Sequence, residues 1–281
     1  FGFSDVEVEK SQNAVFSGGE DEAFERLQYY MWESDLISKY KDTRNGMLGA
    51  DYSSKFSPWL AQGCISPKRI YHEIKKYELE RGENESTYWL FFELMWRDFF
   101  RLMAKKHGNH IFKKGGTKNE VRKELEDNLD LFRIWSEGRT GFPIVDASMT
   151  ELNQTGFMSN RGRQNVASFL VKDLKVNWQI GAEYFESLLI DYDPCSNYGN
   201  WNYIAGVGSD PRENRYFNII SQSRRYDPDG AYLSHWLPSL KSLCPDKVHE
   251  PFALTLKEQK DFDFILGKDY PKACVNAKSM Q

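Results

Sequence analysis

The sequence predicts an all-α fold, and three observations carry that prediction. Long stretches place apolar residues at spacings of three and four with few glycines or prolines inside them. No series of short alternating segments is spaced for hairpins. A chain of 281 residues that is 40% hydrophobic and 15% aromatic can bury a substantial core in one helical domain. In order along the chain, residues 1–20 read as a linker-like segment and 21–256 as the helical domain. The first helix is predicted over 22–41. Ser53, Ser54, Lys55, Phe56 and Ser57 read as a turn that opens a helix near Pro58, since proline suits the first helical position. A helix follows over 67–81. The stretch 86–106 lacks Gly and Pro and is apolar on nearly every face, so it reads as a buried helix ending near Gly108. Gly156 marks a turn, after which Ser159 or Asn160 caps a helix over 161–174, and a further helix covers 182–189. From 257 to 281 the pattern loosens into what reads as a polar tail.

Composition narrows the function classes. A formal net charge of -4 excludes a generally basic protein, so nucleic acid would need a local patch. Lys105, Lys106, Lys113, Lys114 and Lys118 form one cluster, of a kind that is more often simply solvated. Cys64, Cys195, Cys244 and Cys274 are scattered and form no CxxC pair, which points to an intracellular protein. The five histidines lack metal-ligand spacing, so metal catalysis is not expected. No apolar stretch is long and charge-free enough to span a bilayer, and no membrane partner is expected. The chain starts at Phe1 without methionine, which reads as processing or trimming and hides any targeting peptide.

Three segments carry the chemistry. The thirteen residues from Asp191 to Tyr203 hold two carboxylates, three asparagines and four aromatic rings in a turn-rich setting. Loops lining a pocket have this composition, and so does a surface turn with incidental tyrosines. In the second segment, Arg161 and Arg163 stand in the first turn of their helix, where cations oppose the helix dipole. Either an anion sits at that helix start, with Asp191 and Asp193 as carboxylates that could hold the arginines, or both point into water. In the third, Trp89, Glu93, Trp96 and Arg97 share one helix face. A carboxylate in such a helix must be paired, by Arg97 if the helix is taken alone.

The segment Ser53 to Leu60, the pentapeptides Glu93-Leu-Met-Trp-Arg97 and Asn160-Arg-Gly-Arg-Gln164, and the stretch from Asp191 to Trp201 together resemble the flavin-binding half of the photolyase and cryptochrome family. They come in the family's order within a region from about Tyr40 to Tyr226, and Gln164 and Tyr203 look most like the DASH cryptochromes. The resemblance implies an all-helical domain that folds flavin adenine dinucleotide (FAD) into a U. Ser53 to Ser57 and Tyr40 would contact its diphosphate. Asp191 would hold Arg163, Asp193 would lie near the polar edge of the ring, and Asn197 beside its N5, with Arg97 and Asn160 also against the cofactor. A neutral amide at Asn197 favours the fully reduced anion over a protonated radical.

The implied reaction is blue-light cleavage of cyclobutane pyrimidine dimers by electron transfer from reduced flavin, with the dimer turned out of the strand into a pocket. Glu93 would hydrogen-bond the pyrimidines. Trp96 and Tyr203 would wall the pocket, Asn160 and Gln164 would border it, and Arg44 and Arg161 would hold flanking phosphates. Single-stranded DNA is the implied partner, and RNA is left open. The alternatives are a blue-light receptor or redox flavoprotein without repair, and a scaffold that has lost flavin. Trp201 and Trp178 match the inner two members of the family's tryptophan chain for flavin reduction. The third position holds Leu125, and Trp135 is the alternative exit. No alternating strand and helix pattern precedes the linker, so the chain reads as an antenna-free flavin domain or a fragment.

Overall fold

The computed structural model describes residues 16–209 and 216–276. Helices dominate, and among the described residues the only extended pairings are two isolated bridges, Glu126 with Val176 and Leu266 with Tyr270. Helix α1 (Glu20–Gln28) opens with Glu20, Asp21 and Glu22 against the positive end of its dipole. The helix predicted over 22–41 breaks into pieces. A π turn (Tyr29–Glu33) follows α1, Asp35 adopts φ 55°, and a 3-10 turn (Leu36–Lys39) leads into α2 (Tyr40–Thr43). A left-handed residue ends a helix, and the apolar spacing that suggested one long helix runs on through the break.

Helix α3 (Ser57–Gln62) is short, and α4 (Pro67–Arg81) has the predicted limits, its first turn capped by Ser66 accepting from the Arg69 N–H. Asn84 and Thr87 form a capping box at the start of α5 (Glu85–His107), which stops at Gly108. Beyond it come α6 (Leu129–Ser136), α7 (Pro143–Thr155) and α8 (Asn160–Ser168), then a π turn (Phe169–Asp173), α9 (Trp178–Leu188) and α10 (Pro194–Ala205). Ser159 caps α8 by accepting from the Gly162 N–H at 3.0 Å. The last helices are α11 (Ile219–Tyr226), α12 (Ala231–Trp236), α13 (Pro245–Val248) and α14 (Leu256–Asp261).

The apolar residues gather into two clusters. One joins Leu27, Tyr30, Phe56, Trp59, Ile70, Ile74 and Leu94 from the first hundred residues. The larger one joins Met47 and Ile111 to residues from Trp135 through Leu170 and Trp201 to Tyr270. Helix α5 borders both, and α10 lies close against it because residue 199 is glycine: a Cβ there would come within 2.3 Å of the Phe100 ring. The stretch 257–281 does not behave as a tail where it is described. Phe264 and Tyr270 are buried, and the Cys274 N–H donates to the Thr140 carbonyl at 2.8 Å. Two buried aromatics suffice to anchor a segment whose average composition is polar. The linker assignment for 1–15 lies outside the described residues, and the final five residues do as well. No helix among the described residues is long and apolar enough to cross a membrane.

Candidate functional site

A cavity of about 440 Å³ opens between the two clusters, walled by α5 on one side and by residues 157–164 on the other. Sixteen of the residues singled out in the sequence line it: Tyr40, Arg44, Ser53 to Ser57, Glu93, Trp96, Arg97, Asn160, Arg163, Gln164, Asp191, Asp193 and Tyr203. Asn197 and Trp201 line an adjoining recess of about 80 Å³ that shares Arg163, Gln164, Asp191 and Asp193 with the main cavity. Arg161 and Trp178 are not among the lining residues of either.

The turn from Ser53 to Ser57 is held from behind by Arg26 on α1. Its guanidinium donates to the carbonyls of Ala50, Ser53 and Ser54 at 3.0, 3.1 and 3.0 Å, and to Asp51 at 3.1 Å. The backbone N–H groups of Ser53, Ser54, Lys55 and Phe56 find no partner among the described residues. Lys55 takes φ 60° within the turn, and its buried side chain lies over the rings of Tyr52 and Phe157. Burial lowers the Lys55 ammonium to about 7, against the opposing pull of Glu151.

Across the cavity, Arg163 donates to both oxygens of Asp191 at 3.0 and 2.8 Å and to the Met158 carbonyl at 2.9 Å. The anion suspected at the start of α8 is therefore a carboxylate of the chain itself. Asp193 caps α10, accepting from the Ser196 N–H at 2.8 Å, and takes Arg101 at 3.3 Å. Burial pushes its acid up, but the bonds from Ser196 and Arg101 outweigh that and hold it below the ordinary carboxylate range. Asn197 donates to the Ala182 carbonyl at 3.0 Å, which fixes the amide against α9.

At the opposite wall Glu93 pairs with Arg44, not with Arg97. Arg44 also lies 4.9 Å from the Trp89 ring centroid. Freed from Glu93, Arg97 donates one bond to the Leu60 carbonyl at 3.3 Å, and its buried Nη1 has no partner. Arg161 sits over the Tyr226 ring at 4.3 Å and donates to Asn45 and Gln164 at 2.7 and 2.9 Å. It links α8 to Asn45 and to Tyr226 of α11.

Trp201, Trp178 and Trp135 are all buried. The Trp201 ring lies 6.4 Å from Trp135, which lies 5.9 Å from the half-buried Tyr184. Trp178 stacks edge-on to Tyr198 at 6.3 Å and borders a surface cavity of about 250 Å³ with Leu125 in its wall. Sequence reasoning missed Arg26, Arg101 and Glu151. Arg26 and Glu151 act on the site from other helices, and Arg101 stands one turn beyond Arg97 on α5, with nothing in the local sequence to single it out.

The residues fit a dinucleotide. Unspent amides and a buried lysine line the cavity at the serine turn, Arg97 with its unpaired buried nitrogen lines it from α5, and a neutral amide with Trp201 lines the adjoining recess. Comparison with known proteins agrees. Residues 89–281 match the family described as the FAD binding domain of DNA photolyase. Cryptochrome DASH from Synechocystis sp. is 58% identical over 274 residues, which are 98% of this chain and 56% of that protein. A crystal structure of the Synechocystis sp. PCC6803 cryptochrome superposes with a TM-score of 0.93 at 56% identity, covering 99% of this chain and 57% of that one. A class III photolyase from Agrobacterium tumefaciens gives 0.86 at 30% identity, covering 97% and 57%. The chain thus spans a little over half the length of these relatives. With its cavity, its motifs and these matches, it belongs to the photolyase and cryptochrome family as an FAD-binding domain most similar to the DASH cryptochromes.

Proposed function

We propose that this domain carries out blue-light-driven cleavage of cyclobutane pyrimidine dimers, in single-stranded DNA, with FAD as its cofactor. One observation carries the reading: the phosphate-type turn, the Arg163–Asp191 pair and the Arg44–Glu93 pair with Trp96 and Tyr203 all line a single cavity. Cofactor and lesion would share that space. Fully reduced FAD, when bound, supplies the excited electron that splits the cyclobutane ring and takes it back afterwards.

The chain's own residues do the rest. Arg163 and Asp191 hold each other in place, so the cavity wall keeps its shape as ligands come and go. Glu93, half exposed and ion-paired to Arg44, presents a carboxylate oxygen to the N–H edge of a pyrimidine, and Trp96 and Tyr203 exclude water on either side. A single strand suits this cavity because it avoids the unpairing cost of a few kcal/mol that a duplex would impose. The relatives' names, cryptochrome and photolyase, are consistent with this reaction.

A second reading, a receptor or redox flavoprotein without repair, is favoured by one feature: the position of the third tryptophan holds Leu125, in the wall of the surface cavity that Trp178 borders. The deciding experiment is an absorption spectrum followed by blue-light illumination of chemically reduced protein with a dimer-containing single-stranded oligonucleotide. Flavin bands with loss of dimer support repair. Flavin bands without loss select the receptor or redox reading.

A further inference from the structure

Two buried ionisable groups, Lys55 in the serine turn and Glu151 on α7, have no part in proton uptake in the scheme above. Lys55 is 6% exposed, and its Nζ lies 3.6 Å from the Tyr52 ring centroid and 4.5 Å from that of Phe157. Among the described residues no carboxylate or carbonyl bonds to it. Glu151, on α7, is 8% exposed and accepts from the Tyr232 hydroxyl at 2.7 Å, which in turn lies 3.3 Å from Ser148 Oγ. The other charges facing Lys55 are Arg163, Arg26 and Asp191. Arg163 and Asp191 satisfy one another, and Arg26 is committed to the turn and Asp51. Lys55 and Glu151 are what remains.

We propose that Lys55 and Glu151 form a proton-coupled floor for the phosphates of the bound dinucleotide, which is held with Lys55 as the ammonium and Glu151 as the neutral acid. This rests on the reading that the turn from Ser53 to Ser57 holds the diphosphate. Glu151 is then a positioning residue, acting on the ligand through Lys55. Burial supports the coupling from both sides. It lowers the lysine to about 7 and raises the acid to about 7, the latter against the Tyr232 bond, the charges of Lys55 and Arg163, and a backbone bond from Ser159.

The sign follows from the charges. Somewhat above neutral pH the free domain carries Lys55 largely as the amine and Glu151 largely as the carboxylate. An arriving diphosphate favours the ammonium and disfavours the carboxylate, so both groups take up protons. FAD affinity should then fall as pH rises above neutral, by about tenfold per pH unit for each proton taken up.

The test is calorimetric titration of FAD into the flavin-stripped chain at about pH 8, in buffers of different ionisation enthalpy. Proton uptake should accompany FAD and be absent with riboflavin, which has no phosphate. Lys55→Arg, whose guanidinium stays charged, should bind FAD with less uptake and a flatter pH dependence. Glu151→Gln, which can still accept from Tyr232, should also reduce uptake. FAD binding without proton uptake, while Ser53→Ala with Ser57→Ala still weakens FAD, overturns the proton coupling and leaves the turn assignment standing. FAD affinity unchanged in that double serine variant overturns the turn assignment and the inference with it.

Discussion

Asp191 is held in the cavity wall by Arg163. Its side chain is 2% exposed and takes both of its bonds from one arginine nitrogen. Asp191→Ala leaves Arg163 half-buried without a counter-charge, and we expect a loss of about 3 kcal/mol in denaturant unfolding together with poor FAD retention. An unchanged flavin-to-protein absorbance ratio would show that the pair does not shape the cavity. Glu93→Gln removes a charged acceptor at the mouth and leaves the phosphate turn intact. The expected result is full FAD occupancy with repair slowed on the order of a hundredfold in an oligonucleotide assay. Two arginines against a helix dipole left an anion or open water as alternatives, and it was the family resemblance that singled out Asp191 as the partner of Arg163. The pairing of Glu93 was not legible, since Arg97 was the nearer candidate along the chain and Arg44 reaches it only through the packing of α2 on α5.

Helix limits were legible only in part: α9 starts at Trp178 under an Asn177 cap, four residues before the start at 182 that the sequence reading gave. Pro67, Gly108 and Ser159 sit where the sequence reading put them, whereas the Ser66 cap and the Asn84 box went unread. The break at Asp35 was not legible, because an aspartate entering the left-handed region leaves no mark in the apolar pattern. At this scale close approach is also set by single glycines. A Cβ at Gly181 on α9 would lie 2.4 Å from the Trp201 ring. Gly181→Ala should therefore shift that indole and cost about 1–3 kcal/mol through overpacking, seen as a lower thermal midpoint with altered tryptophan fluorescence. A variant with unchanged midpoint and emission would mean that the helices part without strain.

At the scale of the whole molecule, two tryptophans near the recess, Trp135 and Trp178, differ among the described residues in the rings that lead from them toward the surface. Through Trp135 and Tyr184 the aromatic contacts are continuous, whereas beyond Trp178 the wall holds Leu125. If electrons leave through Trp135, Trp135→Phe should slow light-driven reduction of bound FAD more than Trp178→Phe does. Transient absorption under a fixed external donor measures both, and the reverse order would assign the exit to Trp178. The segment from Ala50 to Ser54 bears on how the cofactor is acquired. Because Arg26 on α1 already grips three of its carbonyls, the segment has lost its freedom when the chain folds, before any ligand arrives. The ligand then meets a mould and not a loop: little ordering entropy is left to spend at encounter, and a domain emptied of flavin should refill without refolding.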